Sequence, residues 1–327
     1  MTRRQSFAAA GAWLALAVLF AGCKMGPPAT GSFDRTLSVS GPIRLELTNA
    51  AGDVTIHGGA DGKVHIHGDV RVSGMGFENP QTRLNEIVSN PPLDQKGDVV
   101  RIGKDMSRTH NLSITYVIEV PQSTEVSTKV ASGAQEITGV RGPVQAEAAS
   151  GAIRVNNIER VVRISTASGV VDADNCGDDL RVSTVSGGVT AANIKGDVRI
   201  NAISGFIQVS NPGGRVEADA ASGSIDVRGA NSDVKAHAAS GRIAIQGNPS
   251  GNGYWDLKTA SGLVEITVPP AANFHLTANA VSGEIRTDIP IIIEEQSRRS
   301  LRAHMGNGGG RVEIQTVSGT IRVRGSN

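Results

Sequence analysis

Three arginines are spaced so that they could act together on an anion. Arg163, Arg181 and Arg199 lie 18 residues apart. A guanidinium group carries a fixed charge and a planar set of donors that fits phosphate and carboxylate groups. Stacked in register, the three side chains would present a cationic stripe to an acidic polymer. The competing interpretation is a solvated face of mixed charge, in which Glu147, Glu217 and Asp219 offset the arginines.

Three histidines form a second candidate cluster. His57, His65 and His67 occupy outward positions of alternating segments, and three imidazole groups could hold Zn²⁺ or Ni²⁺. No carboxylate at a characteristic spacing completes a catalytic metal centre, so a solvated polar face is the simpler interpretation. We therefore assign no metal and no cofactor from the sequence.

The most regular pattern in the chain is the pair Ser-Gly. It returns at six consecutive intervals of 18 residues, then at two intervals of 21, and finally after 36, which is twice 18. A nucleophile does not need ten copies, whereas glycine adopts a positive φ in turns and serine hydrogen-bonds the local backbone. The pairs therefore predict turns, and we expect a protein that is not an enzyme. The serines are Ser132, Ser150, Ser168, Ser186, Ser204, Ser222, Ser240, Ser261, Ser282 and Ser318.

Apolar residues alternate with polar ones between these pairs. Counted from the serine, the third and fifth residues are mostly apolar, as are the twelfth and fourteenth; Val162 and Ile164 are one such pair. The seventeenth residue is also apolar, as at Ala167, and is grouped with this set. Alternation with period two indicates half-buried strands, and no unit has helical spacing. We therefore predict an all-β, single-chain β-solenoid with 18-residue coils and two short strands per coil. A chain of β-hairpins stays as an alternative.

Several segments depart from the regular repeat. Residues 63–72 and 112–120 alternate as strands. Pro80 to Val88 is expected to form a short helical turn, with Asn79 as its N-cap. Residues 291–310 combine an apolar run, a charged stretch and a glycine-rich end, and they are interpreted as an excursion from the stack.

The N-terminus has the pattern of an export signal. Arg3 and Arg4 precede an apolar run over residues 7–20, which ends in Ala21-Gly22-Cys23. The end of this run resembles the bacterial lipobox, although Phe20 stands where leucine is usual. The resemblance implies that Cys23 is acylated and that the protein is exported and lipid-anchored in the cell envelope, on the outer membrane or periplasmic face if the organism has two membranes. An ordinary cleaved signal peptide is the alternative.

These patterns divide the chain. We expect a lipoprotein signal peptide at 1–22, a lipid-anchored flexible tether at 23–32 and a β-solenoid at 33–327. Within the solenoid, we interpret residues 33–130 as degenerate N-terminal coils and residues 131–327 as the regular repeats.

Composition excludes several classes of protein. A net charge of +1 argues against a nucleic-acid binder, which needs a large basic excess. Two cysteines cannot form a disulfide framework or a multi-cysteine zinc module. Cys176 lies in an apolar register and is expected to be a buried, inert thiol.

The repeat Ser-Gly-x-Ile/Val-x-Val, with the C-terminal run from Gly308 to Val323, resembles the bacterial "putative adhesin" β-strand-repeat family. The resemblance covers about residues 33–327 and implies a β-solenoid in the envelope, without established catalytic residues. We therefore expect a non-catalytic, adhesin-like binding or scaffolding surface, with an envelope polysaccharide or another envelope protein as partner. A self-assembling scaffold is the alternative function, and a polysaccharide-active enzyme on a β-helix is the second alternative.

Overall fold

A computed structural model describes residues 26–74, 79–103, 111–249, 251 and 253–326. The signal peptide and Cys23 lie outside the described residues. Among those described, no helix has the length and apolar character needed to cross a membrane.

Strands make up most of this part of the chain. In chain order they are β1 (Gly26–Ser38), β2 (Arg44–Ala51), β3 (Val54–Gly59), β4 (Lys63–Gly74), β5 (Leu93–Lys96), β6 (Val99–Ile102), β7 (Leu112–Pro121), β8 (Glu125–Ser132), β9 (Gln135–Thr138), β10 (Val144–Ser150), β11 (Ile153–Ile158), β12 (Val162–Ser168), β13 (Val171–Cys176), β14 (Leu180–Ser186), β15 (Val189–Ile194), β16 (Val198–Ser210), β17 (Val216–Ala230), β18 (Val234–Gly247), β19 (Tyr254–Val268), β20 (Phe274–Thr287), β21 (Ile292–Gln296), β22 (Ser300–Met305) and β23 (Gly310–Gly325).

The regular repeats stack as parallel coils, which confirms the predicted β-solenoid. Residues of β12 pair with the residues 18 places on in β14, so that Val162 pairs with Leu180 and Ser168 with Ser186. The second strand of each coil pairs in the same way, as β11 does with β13. The two strands of a coil meet at the Ser-Gly corner, through which β16 to β20 and β23 run continuously.

The interior is built by the predicted alternation. Val198 and Ile200 are 1% and 0% exposed, whereas Arg199 between them faces solvent. Trp255 takes the corresponding place in a 21-residue unit, because its backbone pairs with Val234. Its indole Nε1 donates a hydrogen bond of 3.0 Å to the Ser232 carbonyl oxygen, which satisfies the polar atom of a buried ring.

The Ser-Gly corner requires glycine for two reasons. Gly223 has a φ of 139°, which other residues rarely adopt. A Cβ atom on Gly223 would also lie 1.7 Å from the carbonyl oxygen of Gly205 in the preceding coil. The same approach recurs at the other corners, and a side chain there would therefore force adjacent coils apart.

A row of asparagines forms the turn opposite the corner. Asn157, Asn175, Asn193 and Asn211 each have a φ between 52° and 55°. Asn211 Nδ2 donates to Asn193 Oδ1 at 3.1 Å, and Asn175 donates to Asn157. Asparagine tolerates this left-handed conformation better than most residues, so the row both allows the turn and links successive coils.

The N-terminal end departs from sequence order. The coil of β2 and β3 lies between the coil of β6 and β7 and that of β8 and β9. Beyond it, β4 covers β7, β1 covers β4 and β5 covers β6, all antiparallel. Residues 26–32 therefore belong to β1 rather than to a flexible tether, and that part of the expected tether is wrong. Pairing with β4 satisfies the backbone groups that a tether would expose to water.

Strand order at the C-terminal end also departs from sequence order. Although β23 comes last in the chain, it lies between β19 and β20 and pairs in parallel with both. The excursion at 291–310 contains the β21–β22 hairpin, and β22 covers β20 antiparallel. The interval of 36 residues thus reflects an insertion into the stack, which gives the terminal strand two partners instead of one open edge.

The described residues contain one helix, α1 (Pro80–Ser89). The Asn79 side chain caps it by accepting from the Gln81 backbone N–H at 2.9 Å, as the sequence predicts. Leu84 and Ile87 are buried on the side that packs against β1 and β4.

Gly223→Ala tests the corner. We expect a loss of at least about 3 kcal/mol in the free energy of unfolding, because both the φ strain and the clash must be relieved. Gly41→Ala is the control, since Gly41 has a φ of 82° with nothing within 4 Å of the added Cβ, and it should cost about 1–2 kcal/mol. Equal costs in urea unfolding would contradict the close stacking.

Removal of residues 310–327 tests the inserted strand. Because β23 bridges β19 and β20, its loss should release β20 to β22 to limited proteolysis as well as lower the melting temperature. A stack in sequence order would lose only its outermost coil. Unchanged protease resistance of residues 274–305 would therefore refute the observed strand order.

Candidate functional site

One apolar row of the repeat is exposed rather than buried. The seventeenth residue, which the alternation groups with the core, faces solvent: Val185 is 50% exposed, Ile203 57%, Val281 63% and Val317 56%. The reason is the corner. The inward residue before it is the sixteenth, such as Thr166, and the next is Val171, so the alternation breaks between them. We call these residues the apolar row. Its members are Ala131, Ala149, Ala167, Val185, Ile203, Ala221, Ala239, Ala260, Val281 and Val317.

The apolar row forms one wall of a groove that runs along the solenoid. Its floor is the sixteenth position and its other wall the mostly polar fifteenth, as in Ser183, Thr184 and Val185. The groove has a volume of about 1800 Å³. It crosses eleven strands, so the interstrand spacing of ~4.8 Å makes it about 50 Å long. We call this feature the axial groove.

Ionisable residues of the polar wall are mostly paired. Lys129 contacts Glu147 at 3.2 Å, and His237 contacts Asp219 at 3.5 Å. His237 and Lys258 both contact Asp256, at 3.2 and 2.8 Å. Burial raises the pKa of Asp256, but hydrogen bonds from Lys258 and His237 outweigh it and hold that pKa below its usual value.

Arg299 differs from these residues. It lines the end of the axial groove beyond Val281, where its carbonyl oxygen accepts a hydrogen bond of 2.8 Å from the Ala280 N–H. Among the described residues, no carboxylate lies within ion-pair distance of its guanidinium group, which is exposed. The groove therefore carries an uncompensated positive charge at this end.

The predicted arginine row is in register but largely neutralised. Arg163, Arg181 and Arg199 pair across adjacent coils. Arg199 donates two hydrogen bonds to Glu217, and Arg181 contacts the Asp179 carboxylate at 3.4 Å. Hydrogen bonds from Lys235 and then Arg199 hold the pKa of Glu217 below its ordinary value. The row presents less free charge than the sequence suggests.

The three histidines divide between two environments. In the backbone register, His57 of β3 and His65 of β4 both lie opposite Glu119 of β7, the strand between them. The Thr36 hydroxyl lies 3.0 Å from His65 Nδ1. His67 instead contacts Asp34 at 2.8 Å and Asp69 at 3.3 Å. Within the described ranges, no three His, Cys, Asp or Glu side chains are arranged to hold one metal ion.

Cys176 lies in the interior at 0% exposure. Burial, with a smaller contribution from Asp174, raises the pKa of its thiol to about 12. The thiol is therefore protonated and unreactive at neutral pH.

The surroundings of His67 predict a pH dependence. The hydrogen bond to Asp34, ahead of the charges of Asp34 and Asp69, raises the pKa of His67 above its usual 6.5. The contribution of His67 to stability is therefore complete below about pH 6.5 and is lost as the pH rises through its folded-state pKa. NMR titration of the imidazole should show Asp34→Asn lowering this pKa more than Asp69→Asn. A His67 pKa insensitive to Asp34→Asn would exclude the contact as its cause.

Comparison with known proteins finds no match among curated proteins. Two solved structures are similar to this chain. A "putative cell adhesion protein" from Clostridium sporogenes is 12% identical, with 91% of this chain and 100% of that chain covered and a TM-score of 0.21. A "putative adhesin" from Bacteroides fragilis is 14% identical, with 90% of this chain and 97% of that chain covered and a TM-score of 0.33.

A family model matches most of the regular part of the solenoid. The matched segment begins at the first residue of β12 and ends within β23, and it contains eight of the ten Ser-Gly corners. The resemblance read from the Ser-Gly repeat is thereby confirmed. Residues 162–324 match the family model described as Toastrack DUF4097.

Proposed function

We propose that the protein is a non-catalytic, lipid-anchored binding protein of the cell envelope and that its ligand lies in the axial groove. The observation that carries the proposal is the exposure of the apolar row over successive coils, from Ala131 to Val281. Extended apolar surfaces on soluble proteins commonly mark binding sites, and this one runs along eleven strands. The role is adhesin-like because an extended surface, formed by repeated coils, binds the ligand.

Anchoring is proposed at Cys23. The run Ala21-Gly22-Cys23 carries this part of the proposal, and the start of β1 at Gly26 adds a constraint. Residues 23–25 span about 10 Å at most. An acylated Cys23 would therefore hold the N-terminal end of the stack close to the membrane surface. Several acyl chains together would give a stable anchor.

The alternative of a self-assembling scaffold receives less support. End-to-end growth of a solenoid needs an outer coil with free backbone groups. At the N-terminal end, β4 and β5 cover the outer coil, and at the C-terminal end β22 covers the first half of β20. The second half of β20 carries the ion pair of Glu284 and Arg286, and charged side chains discourage strand addition.

Cys23→Ser tests the proposed anchoring. In cells that express the full-length chain, the wild type should fractionate with membranes, and the mass of its N-terminal peptide should show acylation. The variant should be released or remain unprocessed, because it lacks the thiol that carries the lipid. Cys176→Ala is the matched control, since it removes the other cysteine and should leave the protein on the membrane. A Cys23→Ser variant that fractionates and migrates like wild type would refute the anchor.

A further inference from the structure

Resting on the proposed function, we propose that the axial groove binds the hydrocarbon chain of a single-chain anionic lipid, with the charged head group beside Arg299. Three features favour such a ligand: the exposed apolar row, the paired backbone groups of the strands that line the groove, and the positive charge at one end.

Side-chain chemistry favours hydrocarbon over sugar. The apolar row supplies aliphatic side chains, among which Val185, Ile203, Val281 and Val317 are each at least half exposed. Among the described residues, the groove contains no Phe, Tyr or Trp side chain. Carbohydrate sites commonly use such rings as stacking surfaces, whereas an alkyl chain needs only aliphatic contact.

Backbone chemistry favours hydrocarbon over an extended peptide. The strands that line the groove cross it, and their N–H and C=O groups are paired with the neighbouring coils, as in β12 with β10 and β14. A peptide laid along the groove would find few partners for its own backbone groups, and unpaired groups are costly in an apolar site. An alkyl chain carries no such groups.

The distribution of charge along the groove favours a position for the head group at the Arg299 end. Of the ionisable residues that line the groove, Lys129, Glu147, Asp219, His237 and Lys258 have partners of opposite charge or an imidazole partner. Arg299 has none among the described residues, and the neighbouring Arg298 adds a second exposed cation without a described acidic partner. An anionic head group would provide the missing counter-charge.

The groove is long enough for such a chain. The acyl chains of one leaflet extend about 15 Å, half the hydrocarbon thickness of a bilayer. With the head group beside Arg299, the hydrocarbon chain begins at the adjacent β20, and from there this distance covers about three interstrand spacings. The chain would pass β20, β23 and β19 and end near Ala239 of β18.

A photoreactive lipid tests the assignment. The full-length protein, held in phosphatidylcholine vesicles, is illuminated with palmitate that carries a diazirine on its last carbon, and adducts are located by mass spectrometry. We expect them in β18 and β19. Hexadecanol with the same diazirine separates the contribution of the head group from that of the chain.

Three variants give the test its controls. Ala239→Glu should reduce labelling by both probes about tenfold, because it places a charge in the path of the chain. Arg299→Gln should reduce labelling by palmitate about tenfold and leave labelling by hexadecanol unchanged. Ala271→Glu, at an exposed alanine outside the groove, should change neither. If Ala239→Glu does not fold, Ala260→Glu on the same row replaces it.

The outcomes separate this inference from the proposed function. Adducts on other faces, equal labelling of Ala239→Glu and wild type, or displacement of palmitate by an extended peptide as readily as by unlabelled palmitate would overturn lipid binding. Membrane retention of the wild type is measured in the same samples. Membrane retention without adducts in the groove would overturn lipid binding alone, whereas loss of membrane retention would count against the anchor.

Discussion

The close approach of glycine to glycine at each corner is the constraint on which the rest of the structure depends. A Cβ on Gly205 would lie 1.9 Å from the carbonyl oxygen of Gly187, so two coils reach hydrogen-bonding distance only if neither has a side chain there. The corner must therefore repeat without change, and extra residues are confined to the opposite turns. The insertion around 248–253 and the excursion at 291–310 both obey this rule.

Identical coils turn each outward position into a row along the axis. Most rows neutralise themselves, because opposite charges follow each other at intervals of 18 residues, as in Arg154 with Asp172 and Arg215 with Asp233. Such exposed pairs contribute little stability, but they leave a surface with almost no net charge. The axial groove differs from these rows in two ways. Its apolar row is exposed to solvent, and the positive charge of Arg299 has no described counter-ion.

The period and the alternation of the sequence predict the coils, the inward pairs such as Val198 and Ile200, and the cap at Asn79. Strand order at the two ends could not be predicted, because repeats with the same pattern fit equally well beside any neighbour in the stack. The groove could not be predicted for a related reason. Alternation assigns a residue to a face only while the strand is straight, and the corner resets the register between Thr166 and Val171. An apolar Val185 or Ile203 therefore has the same sequence signature whether it is buried or exposed.

The insertions at both ends also give the groove a direction. The chain enters at β1, the outermost strand of the N-terminal end, and its last strand, β23, is held one place inside the C-terminal end. The β21–β22 hairpin is thereby left at that end, with Arg299 just before β22. If Cys23 carries the proposed anchor, the end of the groove at which Lys129 pairs with Glu147 would lie toward the membrane and the cationic end away from it. A hydrocarbon chain in the groove would then point its tail toward the bilayer, the same polarity that it has in the outer half of that bilayer.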